Sequence, residues 1–357
     1  MNVPQPATSA SSAAVWGGAG GRGSTSSAHT AHAQARAALS RHVEGRLAEL
    51  RRLDARKSAL ELATFSALWL GGAAMTTAGS YWAAGVPHYV LRIAGTVLSA
   101  IALNAYALLL HEGMHHTLFR SRFWNRWISV LLGATVLMSV SAWKVMHLRH
   151  HAYLGDPRDP DDYHNYTRNR SILWLMHCMR LLAGSFLYIV AIPVLALRYG
   201  RPPERRRIAV EYAVLGALYA LVVLVVHPGD QSRGLFGVWV LPLVLVAYMT
   251  NVRGLSQHGI ADACDPYLAS RTMKPHPLVV FCLLNENYHL EHHLFPEIPG
   301  YNLAKVHRLI WHRLPRAVTG TSYLAFLTRF LRAAWSLDET PIGLTFPAPQ
   351  DAGGERL

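Results

Sequence analysis

The chain has 357 residues, of which 51% are hydrophobic and only 15% charged, and its formal net charge is +13. A soluble domain carries about 25% charged residues, so this deficit, concentrated in long apolar runs, excludes an ordinary soluble protein and points to a membrane protein. The arginines sit in short blocks beside apolar segments rather than along a soluble face, which excludes a nucleic-acid partner.

Residues 1–40 are rich in Ser, Ala, Gly and Thr and contain no acidic residue, too little apolar surface to fold, so a disordered N-terminal tail is expected. In residues 41–58, Leu47, Leu50 and Leu53 recur at helical spacing among Glu44, Arg46, Glu49, Arg51, Arg52, Asp54 and Arg56. That pattern predicts an amphipathic helix on the membrane surface. Residues 59–335 form the expected membrane domain, and 336–357 a C-terminal tail. The odd set Cys178, Cys264 and Cys282 at irregular spacing predicts free thiols rather than a disulfide framework.

Four apolar runs approach the roughly 20 residues that a spanning helix needs. They are Ala59 to Trp82, Tyr89 to Leu110, Ile208 to Val226 and Leu235 to Thr250. The run 128–143 is short, and 172–197 is broken by His177, Arg180 and Pro193, so both are expected to be half-inserted, interfacial or paired. Arg51, Arg52, Arg56 and Lys57 precede the first span and Arg120, Arg122 and Arg126 follow the second. Arg201, Arg205, Arg206 and Arg207 precede the third and Arg253 follows the fourth, while the loops 83–88 and 227–234 carry little or no charge. The positive-inside rule then gives four spans with both termini in the cytosol.

Three histidine clusters fall on that same side. They read His111-Glu112-Gly113-Met114-His115-His116, His147-Leu148-Arg149-His150-His151 and His289-Leu290-Glu291-His292-His293. Residues at i, i+3 and i+4 share one helix face, so each cluster aims two or three imidazoles at one point. Imidazole suits zinc, copper, iron and nickel. Nine imidazoles exceed what one tetrahedral zinc can use, and the count points to two metal ions. His111 begins as the second span ends, so its helix is expected to continue past the membrane face. His258, just beyond the fourth span, can project the same way. The reading is an all-α integral membrane protein with four transmembrane helices and a cytosolic, histidine-rich metal cap.

The pattern HxxxH, HxxHH, HxxHH resembles the membrane fatty acid desaturase superfamily, which includes acyl hydroxylases and carotenoid ketolases and hydroxylases. The stretch Asn285-Glu286-Asn287-Tyr288-His289-Leu290-Glu291-His292-His293-Leu294-Phe295-Pro296 is similar to that family's third box, and Asp156-Pro157-Arg158-Asp159-Pro160-Asp161 to an acidic Asp-Pro run after its second. The resemblance covers about residues 59 to 312. It implies that His111, His115, His147, His150, His151, His289, His292 and His293 ligate a di-iron centre, with His258 the additional histidine before the last box. It further implies O2 as co-substrate, a membrane lipid or acyl substrate, and a separate electron donor of ferredoxin or cytochrome b5 type. Glu112 departs from the Asp common in acyl desaturases, and His116 from the Gly of some members. Glu112, His116 and Asn285 are expected to stand behind the ligands, His116 orienting one of them and Asn285 holding a metal-bound water.

The implied reaction is desaturation of an acyl chain, with hydroxylation or ketolation of an acyl lipid or carotenoid as the alternative. A rival reading takes His111-Glu112-Gly113-Met114-His115 as H-E-x-x-H, a zinc metalloprotease helix with Glu112 as general base. It leaves the second and third clusters unexplained. Glu112–His115 and Glu286–His289 also fit the E-x-x-H of soluble di-iron carboxylate bundles, but the apolar runs oppose that architecture.

Overall fold

The computed structural model describes residues 25–81, 85–226, 234–314, 318–320, 322–340, 342 and 344–345. Helix α1 (Thr25–His42) and the short α2 (Glu44–Leu50) come first. Leu39, Val43, Leu47 and Leu50 form one stripe, buried against Leu303, Val306 and Ile310. Two expectations are thereby corrected. The segment 1–40 is helical from Thr25, with Ala28 and Ala35 buried, and the amphipathic stripe of 41–58 faces protein rather than lipid. His32, within the segment expected to be disordered, lies 3.1 Å from the Ala263 carbonyl, and Arg36 pairs with Glu297. The spacing of the leucines revealed the stripe; what covers it comes from the far end of the chain.

Helix α3 (Ala55–Ser80) starts at Asp54, whose side chain accepts from Arg56 N–H, and pairs antiparallel with α4 (Val86–His115). The two backbones nearly touch at Gly72 and Gly95: a Cβ added at Gly72 would lie 2.6 Å from the Gly95 carbonyl oxygen. Only glycine permits that approach. The Ser66 and Tyr106 hydroxyls bond at 2.8 Å further along the pair. As expected, α4 runs on past Leu110 and carries His111 and His115 beyond the apolar stretch, ending at His116 in the left-handed conformation (φ 63°). Trp82, expected at the end of the first span, lies outside the described residues.

The run 128–143 is not one straight segment. Helices α5 (Arg122–Thr135) and α6 (Val140–Tyr153) meet there at a 102° bend, each begun by a serine cap, Ser121 and Ser139. Helix α7 (Arg170–Tyr199) continues through Pro193, and α8 (Pro202–Val226) follows it. A π-helical turn (Phe236–Val240) leads into α9 (Leu241–His258). Among the described residues four helical segments are long and apolar enough to cross a membrane: Val86–His115, Arg170–Tyr199, Pro202–Val226 and Phe236–His258. This set differs from the expected four, because α7 enters it and α3 does not.

Geometry qualifies that difference. A 30-residue helix is about 45 Å long, yet both ends of α7 meet the same end of the bundle. Arg170 pairs with Glu339 at 3.2 Å, Trp174 packs on Phe330, and Tyr199 stacks under Arg149, next to His150. Helix α3, less apolar than the four, lies along the length of α4.

The remaining chain closes the histidine end. Helices α10 (Pro277–Cys282), α11 (His289–Leu294) and α12 (Gly300–Ile310) lead to α13 (Tyr323–Ser336), whose Phe326 and Phe330 are buried beside Trp174. Three very short strands form a small sheet: β1 (Thr272–Met273) is parallel to β2 (Val318–Gly320), which is antiparallel to β3 (Leu344–Thr345). The expected tail 336–357 therefore includes a pairing strand and a buried Ile342; residues 346–357 lie outside the described ones. Arg271, 1% exposed, anchors this region by donating to the carbonyls of Ser256, Gly259, Ile260 and Ile342.

Candidate metal centre

Four elements converge on one place. Helix α4 brings His111 and His115, α6 brings His147, His150 and His151, the end of α9 brings His258, and α11 brings His289, His292 and His293. Their ring nitrogens form two groups, each with its donor atoms within 4.8 Å of one another: His111, His115, His147, His151 and His292, and separately His150, His258 and His293. His289 adjoins the second group, its Nε2 2.8 Å from His258 Nε2 and 3.2 Å from His293 Nε2. In the first group His111 Nε2 and His115 Nε2 lie 2.8 and 2.7 Å from His147 Nε2. All nine histidines singled out from sequence are thus brought together.

Hydrogen bonds to the opposite ring nitrogens fix what these atoms can do. Glu286 Oε1 is 3.0 Å from His289 Nδ1 and 3.2 Å from His111 Nδ1, so both rings carry their proton on Nδ1. His258 Nδ1 donates to the Ala269 carbonyl (3.2 Å), and His150 Nδ1 faces both Asp159 oxygens (2.9 and 3.0 Å). In the neutral imidazole the other nitrogen is then a bare acceptor. His258 Nε2 and His289 Nε2, 2.8 Å apart, are therefore two lone pairs facing each other, which is repulsive without a cation between or beside them. His150 Nε2 is buried with no hydrogen-bond partner. This donor set fits a metal ion: neutral imidazoles with Nδ1 tied back to carboxylates or carbonyls are the usual arrangement of metal-bound histidine.

The electrostatics agree. Burial holds His292 well below the ordinary imidazole value despite Glu286, and burial with the neighbouring imidazoles does the same for His293. Both stay neutral and able to ligate. Burial pushes the Glu286 carboxyl up, but His111 and His292 outweigh it and hold the group well below the ordinary carboxylate range. The fully buried Glu291, next to His292 in the chain, accepts from His307 Nδ1 at 2.5 Å and from the Thr272 hydroxyl.

The supporting residues expected from sequence are placed elsewhere. The Glu112 carboxylate is held by the Thr117 hydroxyl (2.6 Å) and the Gly300 N–H, and it is not one of the clustered donors. That engagement removes the free base which the H-E-x-x-H protease reading requires. His116 is exposed, bonded to Lys144 (2.8 Å) and Asn125 (3.3 Å). Asn285 serves the backbone: it and Leu284 take positive φ (64° and 49°) at the turn before α11. The carboxylates that do stand behind the rings are Glu286 and Asp159. In the sequence Glu286 stands out only within the third-box stretch and an E-x-x-H match, and Asp159 only within the acidic Asp-Pro run. The three cysteines are free thiols, as expected.

A cavity of about 420 Å³ opens from this centre. His111, His147, His150, His258, His289 and Glu286 close one end, and Trp143, Met146, Phe186, Ile189, Trp239 and Leu243 supply apolar walls. Such a space suits an apolar chain presented to the metal end.

Comparison with known proteins agrees with this geometry. The chain matches the fatty acid desaturase family over residues 87–325. It is 25% identical over 264 residues to a Delta(5) fatty acid desaturase of Caenorhabditis elegans, covering 62% of this chain and 58% of the relative. It is 25% identical over 221 residues to a sphingolipid delta(4)-desaturase/C4-monooxygenase of Homo sapiens, covering 58% and 61%, and 26% identical over 217 residues to a sphingolipid delta(4)-desaturase of Bos taurus, again covering 58% and 61%. The match thus spans about three fifths of the length of these relatives. Desaturases use iron and act on lipid or acyl substrates. Apolar helices of spanning length, clustered imidazoles and a family match over most of the chain make it a member of the fatty acid desaturase family.

Proposed function

We propose that the chain is an oxygen-dependent desaturase of an acyl chain carried in a membrane lipid or thioester. The observation that carries this is the pair of imidazole groups set at the end of an apolar cavity. One iron would be held by His111, His115, His147, His151 and His292, the other by His150, His258 and His293 with His289 beside them. Two irons so held supply the oxidation of an unactivated C–H bond, with O2 as co-substrate and electrons from a separate donor protein of ferredoxin or cytochrome b5 type.

The chain's own residues orient and exclude. Glu286 and Asp159 fix the tautomers of His111, His289 and His150, keeping Nε2 available. Trp143, Ile189 and Leu243 line the space for an apolar chain and keep bulk water from it. Hydroxylation of the same class of lipid is the second reading, favoured by relatives named both desaturase and C4-monooxygenase; the two outcomes need the same ligands. Helices α3, α4, α8 and α9 would cross the bilayer, with α7 half-inserted and the histidine end in the cytosol, the side on which Arg120, Arg122 and Arg201 lie.

Lipid mass spectrometry of cells expressing the chain and its His292→Ala variant tests the reaction. A new double bond or hydroxyl is expected only with the unaltered chain, and identical lipid profiles would defeat the proposal. A cysteine reporter near Arg158 should be labelled only from the cytosolic side.

A further inference from the structure

A second concavity, of about 730 Å³, lies between α5, the start of α6 and α8, away from the metal centre. Its wall is apolar: Trp127, Val130, Val140, Val210, Val214 and Leu215. Its rim is cationic. Arg126, Arg206 and Arg207 line it, and Lys144 stands near enough to Arg126 and Arg207 for the three to repel one another.

The local carboxylates offset this charge only in part, although Glu211 also lines the groove and Glu204 lies close enough to Arg207 to feel its charge. Glu211, whose side chain is 11% exposed, accepts from the Ser139 hydroxyl (2.8 Å) and from both the N–H (2.9 Å) and the hydroxyl (2.5 Å) of Ser141. It reaches Arg126 only at 3.4 Å. Glu204 is taken by Arg201 at 2.8 Å. Among the described residues neither Arg206 nor Arg207 has an ion-pair partner. Guanidinium forks beside an apolar trough, on helices read as meeting the cytosolic membrane face, match the two halves of one ligand.

We propose that this groove binds a phospholipid of anionic headgroup. Its phosphate lies on Arg126, Arg206 and Arg207, and one acyl chain lies along Val210, Val214 and Val130. The site depends on the membrane reading above but not on the reaction. Basic residues scattered along an interface would draw anionic lipid diffusely; a groove with a shared phosphate site retains one molecule.

The test uses the full chain purified in detergent and stripped of lipid. Binding of a phosphatidylglycerol and of a phosphatidylcholine with the same acyl chains is followed by native mass spectrometry, with inorganic phosphate as a third probe. The expected result is a single retained phosphatidylglycerol, phosphatidylcholine at least tenfold weaker, and no retention of phosphate alone. Arg206→Gln and Arg207→Gln should each weaken phosphatidylglycerol, and together at least tenfold, whereas Arg201→Gln, the same single charge loss on an exposed neighbour, should not. Val210→Trp fills the trough while leaving every cation, and should also displace the lipid. Equal binding of both lipids, equal effects of the Arg201 and Arg206/Arg207 changes, or unaltered binding by the Val210→Trp variant would each overturn the site. Iron content serves as the check that every variant is folded, so loss of this site and loss of the metal centre read separately.

Discussion

His111 and His289, far apart in the sequence, turn their Nδ1 atoms toward the same carboxylate oxygen of Glu286, at 3.2 and 3.0 Å. One buried anion thereby sets the tautomer of a ring beside each proposed iron. Glu286→Gln can keep one carbonyl oxygen facing both N–H groups but removes the charge. Iron affinity should fall about 10- to 100-fold, the usual effect of losing a group that orients a metal-bound histidine. Elemental analysis after graded chelation measures it, and an undiminished affinity would show that the carboxylate is only packing.

The two groups should be separable. His258 belongs to the second and His115 to the first. His258→Ala is expected to halve the iron per chain while leaving the first group loaded, and His115→Ala to do the converse. Iron stoichiometry with circular dichroism as a folding control distinguishes this from a single shared ion, for which either change would remove all metal.

Arg271 holds four carbonyls from two stretches of chain at 1% exposure. Arg271→Met takes a donor from each, and among the described residues only the Ile260 carbonyl keeps another, the Ile342 N–H. A buried polar group left unsatisfied costs about 1–3 kcal/mol, so the thermal midpoint should drop sharply, and iron should be lost with it because Ser256 and Gly259 lie beside His258. A midpoint within a degree of the original would refute the anchoring role.

Helix pairing at Gly72 gives a test with two signs. Gly72→Ala forces a methyl to within 2.6 Å of the Gly95 oxygen and 2.9 Å of Ser99 N, an overpacking worth about 1–3 kcal/mol of destabilisation. Gly216, also in a helix, has nothing within 4 Å of the same position. Gly216→Ala should be neutral or stabilise by about 0.5–1 kcal/mol. Thermal unfolding of the two variants in detergent should move in opposite directions or differ clearly in size.

Ile189 lines the 420 Å³ cavity and is not one of the proposed ligands. Ile189→Trp should reduce turnover of long acyl chains more than tenfold with iron content unchanged. Normal product from this variant would place the substrate elsewhere.

The histidine pattern was legible because it is local: i, i+3 and i+4 spacing on α4, α6 and α11 already states which rings share a face. His258 was legible from its place at the end of an apolar run. The supports were not, because Glu112 has the right chemistry but points to Thr117 and Gly300, while Asp159 reaches His150 across a turn that looks merely solvated. Helix α1 was missed since its small residues carry little apolar signal and its partners, Ala263, Glu297 and the α12 leucine face, lie far along the chain. Pro193 read as a break, yet α7 passes through it.

Each donor group draws on distant stretches: His292 completes a set begun by His111, and His293 one begun by His150. A nascent polypeptide therefore owns neither set until synthesis has passed residue 293, and the stretch that clamps His258 waits further, for Ile342. Iron delivered during translation would meet only fragments of each pocket. Maturation must follow assembly, which makes the loaded protein a report that the whole fold has closed.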